Sequence, residues 1–374
     1  MSNYSVFLPD YSVGEECYKE IPSVTRKYGT TAVVIGGKTA ISKAKEELIK
    51  GIENSNVKII DFVWYGGDSS YENVEALKNL PSVQNADMLF GVGGGRACDT
   101  VKILGDEMDK PFFTFPTLAS NCAACTAIAV VYDKNGTFKE YYYLKQPSYH
   151  TFINTKIIAD SPYNLLWAGI GDALSKEYEV LFASRDKFMY HTPLMGKTIS
   201  KMCTDPLVDY GKKALEDCKN NIPSFELGQV ALDIIITTGI VSNFATHEAQ
   251  PDPKDDYYYN SSLAHCVYYG SSLIPACEKH LHGEIVSFGV LCLLTYDKQY
   301  EERDRIMKFN HSISLPITLD DIDMKLEDID KVVEKSMNVV EWKYVPGNPT
   351  GELFKKAIID THKAGIEFKK SLEL

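Results

Sequence analysis

Apolar residues recur along this chain with two different periods, and the change from one to the other divides it near residue 160. Short apolar runs over 31–36, 57–65, 88–92 and 112–115 are continuous, rich in β-branched and aromatic residues, and bounded by Gly, Pro or Asp, so they read as buried strands. Between them lie helical patterns: Ile41, Ala44, Leu48 and Ile52 on one face, then Val74 and Leu77, then a stretch beginning at Arg96. Repeated strand–helix units build a parallel sheet whose ligands sit at the carboxyl ends of the strands. Gly36-Gly37, Gly93 to Gly95 and Pro116-Thr117 would all lie there. Residues 127–133 and 137–144 flank Lys134-Asn135-Gly136 as a hairpin. After Ser161-Pro162, a helix-start signal, the period becomes helical over 165–184, 194–202, 207–220, 227–243, 282–300 and 351–368. No strand pattern appears in that half, and Gln250 to Asp256 is a polar, Pro-rich loop. The pattern predicts an α/β N-terminal domain with a parallel, Rossmann-like sheet over 1–160 and an all-α domain over 161–374. The cleft between two such domains is a usual place for a ligand.

A length of 374 residues fits two domains, and 44% hydrophobic with 24% charged residues is an ordinary soluble composition. The formal charge is −12, with both signs interspersed and no basic patch, which argues against a nucleic-acid partner. The N-terminus lacks a signal-peptide pattern, and no apolar run approaches the about 20 residues needed to span a bilayer. Nine scattered cysteines fit thiols in a reducing cytoplasm.

Two groups of residues carry chemistry. Gly93-Gly94-Gly95 stand between a strand and a helix, where they let the backbone approach a pyrophosphate and aim helix amides at it. Their spacing is not Gly-x-Gly-x-x-Gly, and taken alone a glycine triplet at such a turn is more often a tight turn than a ligand site. Asp172 in Gly169-Ile-Gly-Asp, His265 in Ala-His-Cys and His282 in His280-Leu-His-Gly-Glu284 supply one carboxylate and two imidazoles. Such a set can hold a divalent metal and leave a position open for a substrate oxygen. His280 competes with His282 two positions away. His150, His191, His247, His311 and His362 belong to no motif.

These motifs, in this order, resemble the glycerol dehydrogenase branch of the metal-dependent (iron- or zinc-containing) alcohol dehydrogenases, whose fold is shared with dehydroquinate synthase. The resemblance runs nearly end to end. It includes Tyr65-Gly-Gly-Asp-Ser69, Gly91-Val-Gly-Gly-Gly95 with Asp99-Thr100-Val-Lys102, and Pro116-Thr-Leu-Ala-Ser120. It continues through Val131-Tyr132 with Asn135-Gly136, Gly169-Ile-Gly-Asp-Ala-Leu174, Ala264-His265 and His282-Gly-Glu284. It implies that Asp172, His265 and His282 bind Zn²⁺ or Fe²⁺ and act catalytically through it, with His265 also beside the substrate. It implies further that Gly93, Gly94 and Gly95 cradle the pyrophosphate and Arg96 keeps positive charge near the phosphates. Asp99, Thr117, Ser120, Thr126, Ile128 and Tyr132 would lie along the nucleotide. The implied activity is hydride transfer between NAD or NADP and a small alcohol or polyol, or the matching aldehyde or ketone, in a cytoplasmic homo-oligomer.

Three departures from the family bear on specificity. Relatives preferring NAD carry an acid after the first strand, for the adenosine ribose hydroxyls. Here that position is Gly37, followed by Lys38, which favours NADP because nothing repels a 2′-phosphate. Glycerol dehydrogenases place an Asp where this chain has Cys122, so a less polar alcohol or carbonyl is expected. Cys122 and Cys125 also spell a Cys-x-x-Cys. The second His of the family's His-x-x-His is Tyr268. A cyclase or lyase like dehydroquinate synthase, or a glycerol-1-phosphate dehydrogenase, would need several basic residues around its substrate, and the substrate region is short of them.

Overall fold

A computed structural model describes residues 5–134, 136–246 and 257–372. Asn135 of the expected turn, His247 and the loop Gln250 to Asp256 lie outside the described residues. The strands are β1 (Tyr11–Val13), β2 (Thr31–Gly36), β3 (Lys58–Trp64), β4 (Met88–Gly93), β5 (Phe112–Pro116), β6 (Ile128–Tyr132), β7 (Phe138–Tyr143) and β8 (Thr151–Ile153). Six form one parallel sheet in the order β1-β8-β5-β4-β2-β3, and β6 pairs antiparallel with β7 as the expected hairpin. β1 and β8 escape the sequence pattern because three residues are too few to show a period. They exist because the fold sets Tyr11 beside Thr151.

Alternation along β2 builds two cores. Ala32 and Val34 enter one with Ala44 and Leu48 of α1 (Lys38–Gly51). Val33 and Ile35 enter the other with Val74 and Leu77 of α2 (Tyr71–Lys78) and with Val101 and Leu104 of α3 (Gly95–Glu107). Helices therefore cover both faces, as an all-parallel sheet requires. Because β3 lies to one side of β2 and β4, β5 and β8 to the other, the direction of winding reverses between β2 and β4. Their carboxyl ends, Gly36 and Gly93, bound the crevice where such sheets take their ligands.

Among the described residues the rest of the chain is helical apart from one isolated bridge, Thr246 to Tyr258. The segment expected over 165–184 is two helices, α4 (Tyr163–Ala173) and α5 (Ser175–Ala183), interrupted at Leu174. α6 (Phe225–Phe244) includes a π-helical turn over Asp233–Thr237. Contrary to the sequence reading, its 20 residues are long and apolar enough to cross a membrane, Glu226 and Asp233 being too few charges to break the run. However, 61% of that apolar window is buried inside the protein, as in a core helix. α7 (Leu263–Ser271), α8 (His282–Tyr296), α9 (Tyr300–Ser312) and α10 (Gly351–Ser371) follow. From Ile285 to Thr295 α8 is apolar all round and buried, packed by α5, α7, α9 and α10.

The chain divides into two compact units. One takes the described residues up to Leu166 together with Lys213–Asn243, and the other takes Trp167–Lys212 with the residues from Phe244 onward. Within the first, α6 covers the loop after β5. Its Asn243 side chain accepts from the Ala127 amide at 2.8 Å, and the Cys125 thiol donates to the Ile235 carbonyl at 2.7 Å.

Candidate metal centre and nucleotide-binding residues

Three helices of the second unit bring the predicted ligands together. Asp172 stands near the end of α4, His265 in the first turn of α7 and His282 at the start of α8. One oxygen of Asp172 lies 3.1 Å from His282 Nε2 and 3.6 Å from His265 Nε2. The three donor atoms all fall within 4.8 Å of one another. Bonds of about 2.0–2.2 Å set tetrahedral donors roughly 3.4 Å apart, so this set fits a divalent ion after a small contraction.

The convergence depends on close backbone contact. A Cβ on Gly283 would lie 1.8 Å from the Ala168 carbonyl oxygen, and one on Gly171 would lie 2.3 Å from that of Gly283. Only hydrogen fits at either position, so α4 and α8 touch beside Asp172 and His282. The glycines flanking the two ligands are thereby explained by packing.

Electrostatics reinforces the arrangement. Burial alone would raise the Asp172 carboxyl, but the charges and hydrogen bonds of His282 and His265 hold it well below the usual carboxylate range. Burial would lower His265, yet the Glu179 carboxylate, with Asp172, raises it to about 10. A metal binding there displaces that proton.

His280 is committed to other partners. Its Nδ1 is 2.7 Å from Glu284 and its Nε2 2.7 Å from Asp323, so both ring nitrogens are engaged. The other Glu284 oxygen accepts from the Leu281 amide at 3.0 Å, capping α8 just where His282 emerges. Tyr268, at the family's second histidine, presents its ring to His282 with centroids 4.1 Å apart and planes at 76°. Glu179 is the residue the sequence reading missed. It sits on α5 seven positions after Asp172, across the interruption at Leu174, and nothing in the sequence marks which glutamate is buried.

The residues expected along the nucleotide all belong to the first unit. Gly93 has φ +148°, and a Cβ there would meet that of Ala97 at 2.9 Å, so the turn into α3 requires glycine. Gly94 caps α3 and Gly95 begins it, while the Thr117 amide donates to the Gly93 carbonyl at 3.2 Å. Arg96 is exposed, lies over the Tyr132 ring at 4.6 Å and is 3.4 Å from Asp68. Ser120 and Ile128 are half-buried. Gly37 caps α1, and the exposed Lys38 ammonium lies 4.9 Å from the Trp64 ring. Asp99 and Thr126 are buried and turned toward Lys102, whose Nζ is 2.8 Å from the Asp99 carboxylate and 3.1 Å from the Thr126 hydroxyl. Cys122 is half-buried, 3.8 Å from the Ser242 hydroxyl; like the other cysteines it is a free thiol.

Residues 9–151 match the iron-containing alcohol dehydrogenase family. The glycerol dehydrogenase of Thermotoga maritima is 29% identical over 337 residues, covering 81% of this chain and 87% of that protein. Hydroxycarboxylate dehydrogenase A of Escherichia coli strain K12 is 28% identical over 340 residues, covering 89% of this chain and 90% of that protein. The crystal structure of glycerol dehydrogenase from Schizosaccharomyces pombe has the same fold, with a TM-score of 0.84 over 100% of this chain and 94% of that one at 20% identity.

Proposed function

We propose that the chain is a metal-dependent, NAD(P)-linked alcohol or polyol dehydrogenase of the glycerol dehydrogenase-like branch of the iron-containing alcohol dehydrogenases, and that Asp172, His265 and His282 hold its one catalytic Zn²⁺ or Fe²⁺. The observation that carries this reading is the meeting of one carboxylate and two imidazoles within 4.8 Å, from three separate helices. Both ions accept such oxygen and nitrogen donors. Bound there, the ion supplies a Lewis acid that polarises the substrate oxygen, and the nicotinamide supplies the hydride acceptor or donor. Asp172 brings a negative charge that offsets part of the ion's own, and His265 presents Nε2 while its Nδ1 is occupied by Glu179.

On the nucleotide side, the unit built on residues 1–160 and joined by Lys213–Asn243 is the binding domain in this proposal, and the rest of residues 161–374 bears the metal. Gly93, Gly94 and Gly95 leave room for a pyrophosphate at the N-terminus of α3, with the Arg96 charge nearby. Asp99 and Thr126, committed to Lys102, shape the loop that Ile128 and Tyr132 extend. Gly37 and Lys38 favour NADP over NAD, since no carboxylate opposes a 2′-phosphate and an exposed ammonium is adjacent. Cys122, beside Ser242, gives the substrate region a weaker polar partner than the aspartate of glycerol dehydrogenases, so a simple alcohol, aldehyde or ketone is preferred to glycerol. The similarity to a hydroxycarboxylate dehydrogenase supports a substrate range wider than glycerol. Nine free thiols support a reducing cytoplasm, and the family resemblance supports a homo-oligomer.

The test is nicotinamide absorbance with zinc- or iron-loaded protein. NAD⁺ and NADP⁺ are offered with alcohols, diols and glycerol, and the reduced cofactors with aldehydes and ketones. Turnover that stops with a chelator and returns with metal supports the assignment. Turnover that survives complete metal removal overturns it.

A further inference from the structure

Glu179 is fully buried, and both of its carboxylate oxygens are spent on the start of a single helix. Oε1 accepts from the Ser262 amide at 2.7 Å and the His265 amide at 3.0 Å, while Oε2 lies 2.7 Å from His265 Nδ1. No lysine or arginine pairs with it among the described residues, and its one ion-pair partner is His265. A buried carboxylate whose ion-pair partner is an imidazole is costly, and replacing such a pair by apolar side chains is often neutral or stabilising. The arrangement instead fixes one imidazole. With Nδ1–H donating to Glu179, the lone pair of neutral His265 is on Nε2, the nitrogen 3.6 Å from Asp172. The amide bonds to Ser262 and His265 hold the backbone of the same turn, so ring and main chain cannot move separately. His282 is held differently, by the ring of Tyr268, and its side chain is 40% exposed.

We propose that Glu179 is a positioning residue that sets the tautomer and orientation of His265, and thereby how tightly this centre grips its metal. The inference rests on the metal-centre reading above. Glutamine at 179 makes a sharp probe. Its carbonyl oxygen can still accept from the two amides, but its NH₂ would face Nδ1 and ask that nitrogen to accept. The proton of neutral His265 would then move to Nε2 and occupy the ligand position.

The experiment measures zinc affinity of the full chain by competition with a chromogenic chelator, for wild type, Glu179→Gln, Glu179→Asp and His265→Ala. Nucleotide binding and metal-free melting serve as fold checks, and the ¹⁵N shifts of His265, read above pH 10 in the metal-free protein where the ring is neutral, report its tautomer. Glu179→Gln should weaken zinc binding about ten- to a hundredfold. Its nucleotide binding should stay unchanged, its His265 tautomer should reverse, and excess zinc should restore turnover. Glu179→Asp keeps the charge and the tautomer but withdraws the carboxylate, so it should fall between the two and stand in if the glutamine variant does not fold. Wild-type protein that fails to take up zinc sinks the metal-centre reading and this inference with it. Wild-type protein that binds zinc, with both folded Glu179 variants binding within threefold of it, sinks only the role of Glu179.

Discussion

The Lys102 ammonium, with no solvent exposure, lies 2.8 Å from the Asp99 carboxylate one turn earlier on the same helix. It also reaches the carbonyl oxygens of Ala123, Thr126 and Ile128 at 2.7, 3.2 and 2.6 Å. One buried cation thus fastens α3, which opens at the glycine triplet, to the loop carrying Cys122, Thr126 and Ile128. Neither the helix nor the loop can shift alone without stripping hydrogen bonds from a buried charge.

Replacing Lys102 with Met should therefore destabilise the protein by about 3–5 kcal/mol, the usual cost of leaving one member of a buried pair alone. Urea unfolding monitored by circular dichroism measures it. A loss below about 1 kcal/mol, the scale of an exposed pair, would mean the network contributes little.

Gly37→Asp tests cofactor choice. The position caps α1 with φ −69° and ψ 144°, and a Cβ there makes only ordinary contacts, with Ala40 at 3.8 Å and Tyr65 at 3.9 Å. Aspartate is a favoured N-cap, so the variant should fold as well as the wild type. A carboxylate beside a 2′-phosphate should shift the ratio of kcat/KM values toward NAD by about tenfold or more, roughly 1.4 kcal/mol. An unchanged ratio would place the adenosine elsewhere.

Asp172→Ala and His265→Ala should each abolish metal retention and turnover together, because each removes a donor that no neighbour replaces. His280→Ala should keep one metal per chain, since His280 is tied to Glu284 and Asp323. Elemental analysis after gel filtration separates these outcomes. Loss of metal in His280→Ala beyond what altered capping of α8 explains would restore His280 as a ligand.

The pH dependence follows from His265, raised to about 10 in the metal-free protein because Glu179, with Asp172, outweighs burial. The folded protein holds this proton more tightly than the unfolded chain. The resulting stability is complete below about pH 6.5, the ordinary histidine value, and is lost as pH rises through about 10. Metal must displace the same proton, so zinc affinity should rise with pH, by up to about tenfold per unit between pH 6 and 8. Calorimetry in two buffers of different ionisation enthalpy should show about one proton released per metal. Affinity that is flat over this range would show His265 already neutral.

Much of the site was legible in the chain. β2 to β5 appear within a residue or so of the predicted runs, because continuous apolar stretches ending in Gly or Pro have few other ways to be buried. The glycine triplet and the Asp, His, His set could be found because glycine and metal-ligating side chains are chemically distinctive. Glu179, by contrast, looks like any glutamate on an amphipathic helix, and β1, β8 and α7 are too short or too uniformly apolar to show a period.

By itself the sequence determined the order of strands and helices, the turn that must be glycine and the side chains able to bind a metal. These follow from backbone sterics, hydrophobic periodicity and donor chemistry, which are local properties. Only the tertiary structure decided that His282 rather than His280 faces Asp172, that Asp99 and Thr126 serve Lys102, and that Glu179 stands behind His265. Each of those depends on which side chains meet across helices distant in sequence. A one-residue choice between histidines or a buried carboxylate becomes definite only when backbones touch, as α4 and α8 do at Gly171 and Gly283.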